Sequence, residues 1–236
     1  MIESPSPNHD ARPEDGPIDI LLLHYTGMRS AEEALTRMRD PAAKVSAHYM
    51  IDEDGTTHRL VAEERRAWHA GEACWAGARD INARSIGIEL VNPGHEFGYR
   101  PFPEPQMVAL IDLAKGILAR HPIPPARVLG HADVAPLRKE DPGELFDWRR
   151  LAAEGIGIWP EEEASVEGSP SIGELQRQLV AFGYCLESTG KLDEPTRAVL
   201  HAFQRHFRPS AVTGEIDGET AVRLVSLNRA VVQERP

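Results

Sequence analysis

What most constrains this chain is a change of pattern near residue 160. Before it, short apolar runs alternate with segments of helical spacing; after it, only helical spacing remains. Ile18 to Thr26 (IDILLLHYT) is rich in Ile and Leu and reads as a buried strand ending at His24. Ala47 to Ile51 and Thr57 to Val61 flank Asp54-Gly55, the strongest short hairpin signal in the chain. Ser85 to Val91 and Arg127 to His131 are further strand candidates. Ser30 and Glu33 form a capping-box start that predicts a helix over 31–39, stopped by Asp40-Pro41. Between Pro105 and Pro122, apolar residues recur at Met107, Leu110, Ile111, Ala114, Ile117 and Leu118, which is helical spacing. Interleaved strands and helices indicate an α/β domain with a mixed sheet covered by helices, over residues 17–160. The polar, proline-rich segment 1–16 is expected to be flexible.

Residues 161–169 are acidic and small without periodicity, and read as a linker. In residues 170–230, Leu175, Leu179 and Phe182 share a helix face, as do Leu200, Phe203 and Phe207, and Val222, Leu224, Val225 and Leu227 cluster near the end. Between them lies an internal repeat, in which Gly190-Lys-Leu-Asp-Glu-Pro-Thr196 recurs as Gly214-Glu-Ile-Asp-Gly-Glu-Thr220. Each Asp is placed to N-cap the following helix, and each Gly permits the tight turn before it. The expectation is a small all-α domain of three helices.

The net charge of −11 argues against nucleic acid or an anionic membrane as partner, because phosphate binding needs concentrated Lys and Arg. Residues 170–230 hold seven basic and seven acidic side chains, so the excess lies earlier. No apolar run approaches the ~20 residues of a membrane span. No secretory signal is visible at the start. The two cysteines, Cys74 and Cys185, fall in different predicted domains and read as free thiols.

His24 and His131 both sit where apolar runs end, and Asp141 follows ten residues after the second. Two His and one carboxylate are a ligand set for zinc with one position left for water. Spacing alone does not carry this: taken singly, each His reads as a hydrogen-bonded residue at a strand end.

Five motifs occur in order: ILLLHYT, VSAHYMIDEDG, RAWHAG, NARSIGIEL and VLGHADVAPLRKEDPG. In these the chain resembles the AmpD/AmiD-like family of N-acetylmuramoyl-L-alanine amidases, over roughly Ile18 to Trp159. The resemblance implies the fold shared with peptidoglycan recognition proteins and T7-type lysozyme, with Zn2+ in a surface groove. It implies His24, His131 and Asp141 as metal ligands, Glu89 as catalytic acid and base, and Lys139 as the lysine at the reacting centre. T7-type relatives have Cys at the third ligand position, and a Tyr where this chain has Ala47, which puts the weight of proton transfer on Glu89. The tail resembles a peptidoglycan-binding three-helix module through Leu175-Gln176, Phe182-Gly183-Tyr184, Gly190 to Thr196 and Ala202-Phe203-Gln204, with a degenerate last turn at Gly214 to Thr220.

The activity so implied is hydrolysis of the amide between N-acetylmuramic acid and L-Ala of peptidoglycan or (anhydro-)muropeptides, in wall turnover or recycling, by a monomer. Competing readings are a non-catalytic peptidoglycan receptor on the same fold and a zinc peptidase cutting within the stem peptide. His48 is readable as a groove residue or as a brace for the hairpin. Trp68 and His69 suit contact with sugar or peptide, Trp68 being equally readable as core. Asn82 and Arg79 are candidates to hold stem-peptide carboxylates. His58, His95, His121, His201 and His206 read as surface or structural. The compartment stays open: the missing signal points to the cytoplasm, the wall-binding module to the cell envelope.

Overall fold

A computed structural model of the chain describes residues 1–14, 16–160 and 170–233. The main sheet orders its six strands as β1 (Ile2–Glu3), β5 (Thr57–Arg59), β4 (Tyr49–Ile51), β7 (Ser85–Leu90), β3 (Ile20–Tyr25) and β8 (Val128–Gly130). Neighbours are parallel except β4 and β5, which form the antiparallel hairpin expected around Asp54-Gly55. Gly55 has φ +87°, and a Cβ there would meet the Pro105 carbonyl oxygen at 2.8 Å, so the turn accepts only glycine.

Both faces of the central sheet are covered, and β3 is accordingly apolar at consecutive positions from Ile20 to Leu23. One face carries Leu21, Leu23, Ile86, Ile88 and Leu90. Over it lies α4 (Glu104–Arg120), through Met107, Leu110, Ile111, Ala114 and Ile117. Gln106 in the same helix closes the contact by donating to the Ile51 and Val91 carbonyls. The opposite face carries Ile20, Leu22 and His24 from β3, and Ser85, Gly87 and Glu89 from β7. The parallel register sets His24 directly beside Glu89. Around this frame lie α1 (Ala31–Arg39), capped by Ser30, and the short helices α2 (Ile81–Arg84), α3 (Gly94–Phe97), α5 (His131–Val134) and α6 (Trp148–Ala153).

The first residues differ from expectation. Rather than flexible, the described part of segment 1–16 adds β1 to the sheet edge and pairs β2 (His9–Ala11) with β6 (Arg65–Ala67). Asn8 is buried and donates to the carbonyls of Met38, Asp40 and Val45, and Arg12 donates to those of Glu63, Asn82, Ala83 and Ser85. The segment is held by polar bonds, which leave no hydropathy pattern to read. The expected linker, 161–169, lies outside the described residues.

The tail folds as α7 (Ile172–Phe182), α8 (Glu194–Phe207) and α9 (Gly218–Gln233). The repeat does what its Asp residues imply: Asp193 accepts from the Thr196 N–H and Asp217 from the Thr220 N–H. Each turn also folds around a buried glutamine of the preceding helix. Gln176 donates to the Lys191 carbonyl and Thr196 Oγ1 and accepts from Gly190 N–H. Gln204 does the same with the Glu215 carbonyl, Thr220 and Gly214.

This unit is not a separate bead. Leu175, Leu179, Phe182, Leu200, Phe203 and Leu224 form one continuous cluster with Ile20, Leu22, Trp75, Leu129 and Val134 of the α/β unit. The two cysteines, expected as free thiols, are joined as a disulfide across 111 residues. Docking of Tyr184 against Trp75 brings them together, a juxtaposition that residue counting does not reveal.

Candidate active site

His24 lies one residue before the end of β3, on the face away from α4, and His131 opens α5 at the end of the neighbouring β8. Asp141 is brought beside them because the Ala132 N–H donates to its carbonyl and Pro142 packs on Gly130. A Cβ at Gly130 would meet Pro142 Cδ at 2.7 Å. The result is a triangle of ligand atoms. His24 Nδ1 and His131 Nδ1 are 3.0 Å apart, and each is 3.1 Å from Asp141 Oδ2. All three residues are buried, and theirs is the group of metal-ligating side chains found among the described residues.

The hydrogen bonds behind the triangle decide which ring nitrogens carry protons. His131 Nε2 lies 2.9 Å from the Ala70 carbonyl, which can only accept, so Nε2 carries a proton, and in the neutral imidazole the lone pair is at Nδ1, facing the centre. For His24 the chain is longer. Ser85 Oγ donates to the Ile81 carbonyl and so accepts from His69 Nε2, 3.4 Å away. His69 Nδ1 is then an acceptor for His24 Nε2–H at 3.0 Å. Burial, with His131 adding, pushes His24 down to about 4, so its ring is neutral near neutral pH. Asp141 supplies the third acceptor, a carboxylate oxygen 3.1 Å from each ring nitrogen. With both rings in the neutral form, three acceptors converge on one point. Two imidazole nitrogens and a carboxylate oxygen form a zinc donor set, and their spacing is close to the roughly 3.3 Å that tetrahedral bonds of about 2.0–2.1 Å require. Only the missing Cβ of Gly87 lets His69 lie where it does: one there would stand 2.6 Å from the imidazole.

The triangle opens into a groove of about 1100 Å³. Glu89 lines it one strand from His24, and its Oε2 is buried without a hydrogen-bond partner. Burial, then the Asp141 carboxylate, push Glu89 well above the usual range, with Lys139 pulling the other way. Lys139 and Arg138 line the same groove, and Arg138 is fixed by donating to the Ala70 and Glu72 carbonyls.

The expected substrate contacts fare differently. His48 is wholly buried, accepting from the Gly87 N–H and lying 3.1 Å from the Arg65 carbonyl; it braces the hairpin against β7. Asn82 is also interior, its side-chain oxygen accepting from the His69 and Ala70 N–H groups, so it shapes the loop that supports His24 and His131 and does not line the groove. Arg79 is exposed and Trp68 half-buried, and neither lines the groove. His69 lines it from beneath, acting on His24. Two histidines assigned to surface or structure, His95 and His201, line the groove as well. So do Tyr25, which meets His95 Nδ1 at 2.9 Å, and Arg205 of α8.

The family model for N-acetylmuramoyl-L-alanine amidase matches residues 14–144, and that for a putative peptidoglycan binding domain matches residues 168–224. This chain belongs to the N-acetylmuramoyl-L-alanine amidase family. Among relatives of this amidase, Escherichia coli AmiD is 38% identical over 223 residues, covering 86% of this chain and 79% of AmiD. Its solved complex with the substrate anhydro-N-acetylmuramic acid-L-Ala-D-γ-Glu-L-Lys superposes with a TM-score of 0.83 at 35% identity, over 94% of each chain. AmpDh3 of Pseudomonas aeruginosa, in complex with anhydromuramic pentapeptide, gives 0.84 at 35% identity over 94% of this amidase and 95% of that chain. The 1,6-anhydro-N-acetylmuramyl-L-alanine amidase AmpD of Enterobacter cloacae is 35% identical over 166 residues, 63% of this chain and 87% of AmpD.

Proposed function

We propose that this amidase is zinc-dependent and hydrolyses the amide between the lactyl group of N-acetylmuramic acid and L-Ala of the stem peptide, with His24, His131 and Asp141 holding the metal. The observation that carries this is the convergence of three lone pairs whose tautomers are set from behind, at the floor of a groove that also presents Glu89. The AmiD and AmpDh3 complexes hold anhydromuramyl peptides, and the same substrate class is proposed here. The interdomain disulfide favours a compartment that keeps thiols oxidised, hence substrate met outside the cytosol.

When bound, zinc supplies a Lewis acid that polarises the amide carbonyl and lowers the pKa of water from about 15.7 to about 7. The remaining work belongs to the chain. Asp141 and the two imidazoles would hold the ion with a single negative charge among them, which would preserve its electrophilicity. Glu89 takes the proton of the attacking water at its buried carboxylate and returns it to the departing amine. Lys139 sets a positive charge where negative charge grows on the carbonyl oxygen. Ala47 is buried and carries no hydroxyl, so proton transfer rests on Glu89.

Mass spectrometry of the products tests this. Cleavage should release a stem peptide with free N-terminal L-Ala and leave the lactyl carboxylate on the sugar. Muramic acid still acylated by L-Ala would instead show a peptidase.

A further inference from the structure

The helical unit is part of the active-site groove. Glu194, Arg197, Ala198, His201 and Arg205 lie on one face of α8 and line the same groove as Glu89, Lys139 and Asp141. This wall is fixed rather than tethered: the disulfide, the shared core, and bonds from Tyr184 and His206 to Asp133 lock α8 in place.

Polar atoms on that face are incompletely satisfied. Five buried side-chain N or O atoms among the described residues have no hydrogen-bond partner, and three of them belong to residues that line this groove: Glu89 Oε2, His201 Nδ1 and Arg205 Nε. Buried polar groups are normally paired, so a cluster of orphans on one cavity marks where a ligand's polar groups belong. The Glu89 orphan belongs to the chemistry proposed above; the two on α8 do not. Arg205 contacts Glu140 through Nη2 at 3.0 Å, while Glu144 lies 3.8 Å from Nε, too far for a hydrogen bond. Arg197 is paired with Glu215 at the surface, where an ion pair is readily exchanged. His201 is pushed below its usual range by burial, then by Arg205 and Arg197, so it stays neutral.

We propose that the α8 face formed by Arg197, His201 and Arg205 binds a carboxylate of the stem peptide, making the helical unit a specificity wall of the catalytic groove. Resting on the amidase reading, this assigns the wall to the peptide, which leaves the glycan to the rest of the groove. An arginine fork matches a carboxylate in geometry and charge. Glu194 and Glu140 on the same groove keep it from being a general anion trap, and they suit a peptide that also carries an amine.

The test is a cycle between enzyme and substrate. Steady-state rates are measured for the wild type and for Arg197→Gln and His201→Ala, on anhydromuramyl tetrapeptide and on anhydromuramyl-L-alaninamide, which lacks the distal carboxylates. The ratio of kcat/KM between long and short substrates should fall about tenfold in Arg197→Gln, chiefly through KM, the size of one charge-assisted hydrogen bond in a half-exposed site. His201→Ala should lower the same ratio. Equal losses on both substrates, or an unchanged ratio in both variants, overturn the proposal. Failure of the wild type to cleave either compound would instead contradict the amidase reading. Unchanged thermal midpoints exclude misfolding as the cause.

Discussion

Two buried carboxylates, eight residues apart, show what separates a candidate metal site from a structural one. Asp133 lies in α5 and Asp141 in the loop that follows it; both are buried, and both meet histidine. Around Asp133 every partner donates: Tyr184 Oη at 2.6 Å, His206 Nδ1 at 2.7 Å and Gly130 N–H at 2.8 Å. Around Asp141 the partners are lone pairs, because Ala70 and the His69–Ser85–Ile81 chain claim the protons of His131 and His24. One cluster closes on itself; the other presents acceptors that a cation could satisfy. Residue types are nearly the same in both, so polarity of the bonds, not composition, assigns the function.

The largest effect that can test this contrast is at Glu89. Glu89→Gln should keep zinc and lose roughly 10²–10⁴-fold in kcat, the contribution of general acid–base catalysis. Near-normal turnover would mean that another group moves the proton. Next is the support behind His24: His69→Ala removes the acceptor for Nε2–H and should weaken zinc binding about 10–100-fold in competition with a chromophoric chelator. Unchanged affinity would show that the bond does not orient the ligand. On the self-satisfied side, Tyr184→Phe leaves one Asp133 oxygen unpaired and should cost about 1.5–3 kcal/mol in denaturant unfolding with zinc affinity intact. A variant that lost zinc and kept its stability would reverse the assignment of the two clusters.

The smallest effect concerns a third carboxylate of the satisfied kind. Burial would raise Glu63, yet Arg120, Tyr49 and His121 bond to it and bring it from 4.5 down to about 2. A depressed folded value means stability that is present above about pH 4.5 and drains away as pH falls toward 2. Glu63→Gln should therefore unfold more easily at pH 7 and show a shallower loss over that acid window. An acid profile identical to the wild type would remove Glu63 from the account.

Legibility in the sequence followed the range of the interaction. Elements set by local pattern were readable: α1 from Ser30 and Glu33, α4 from its apolar spacing between prolines, the hairpin from Asp54-Gly55, and the capping Asp residues of the repeat. The ordered N-terminal strands were not, because Asn8 and Arg12 act through hydrogen bonds to carbonyls 30 or more residues away. The disulfide and the common core were hidden for the same reason, and so was the use of α8 as a groove wall. At the site, His24 and Glu89 could be named from motifs, but only the parallel register of β3 and β7 explains why they meet. Asn82, His48 and His69 were legible as polar residues near that motif set. Their direction, inward to the supporting loop and hairpin rather than out to the substrate, depends on the glycine at 87 and on the fold around it.

The most direct test is the zinc content of the purified protein by elemental analysis, for the wild type and for His131→Ala. The wild type should carry one zinc per chain and the variant almost none, with amidase activity lost in parallel. A wild-type protein that cleaves muropeptides without bound metal, or a His131→Ala variant that retains stoichiometric zinc, would contradict it.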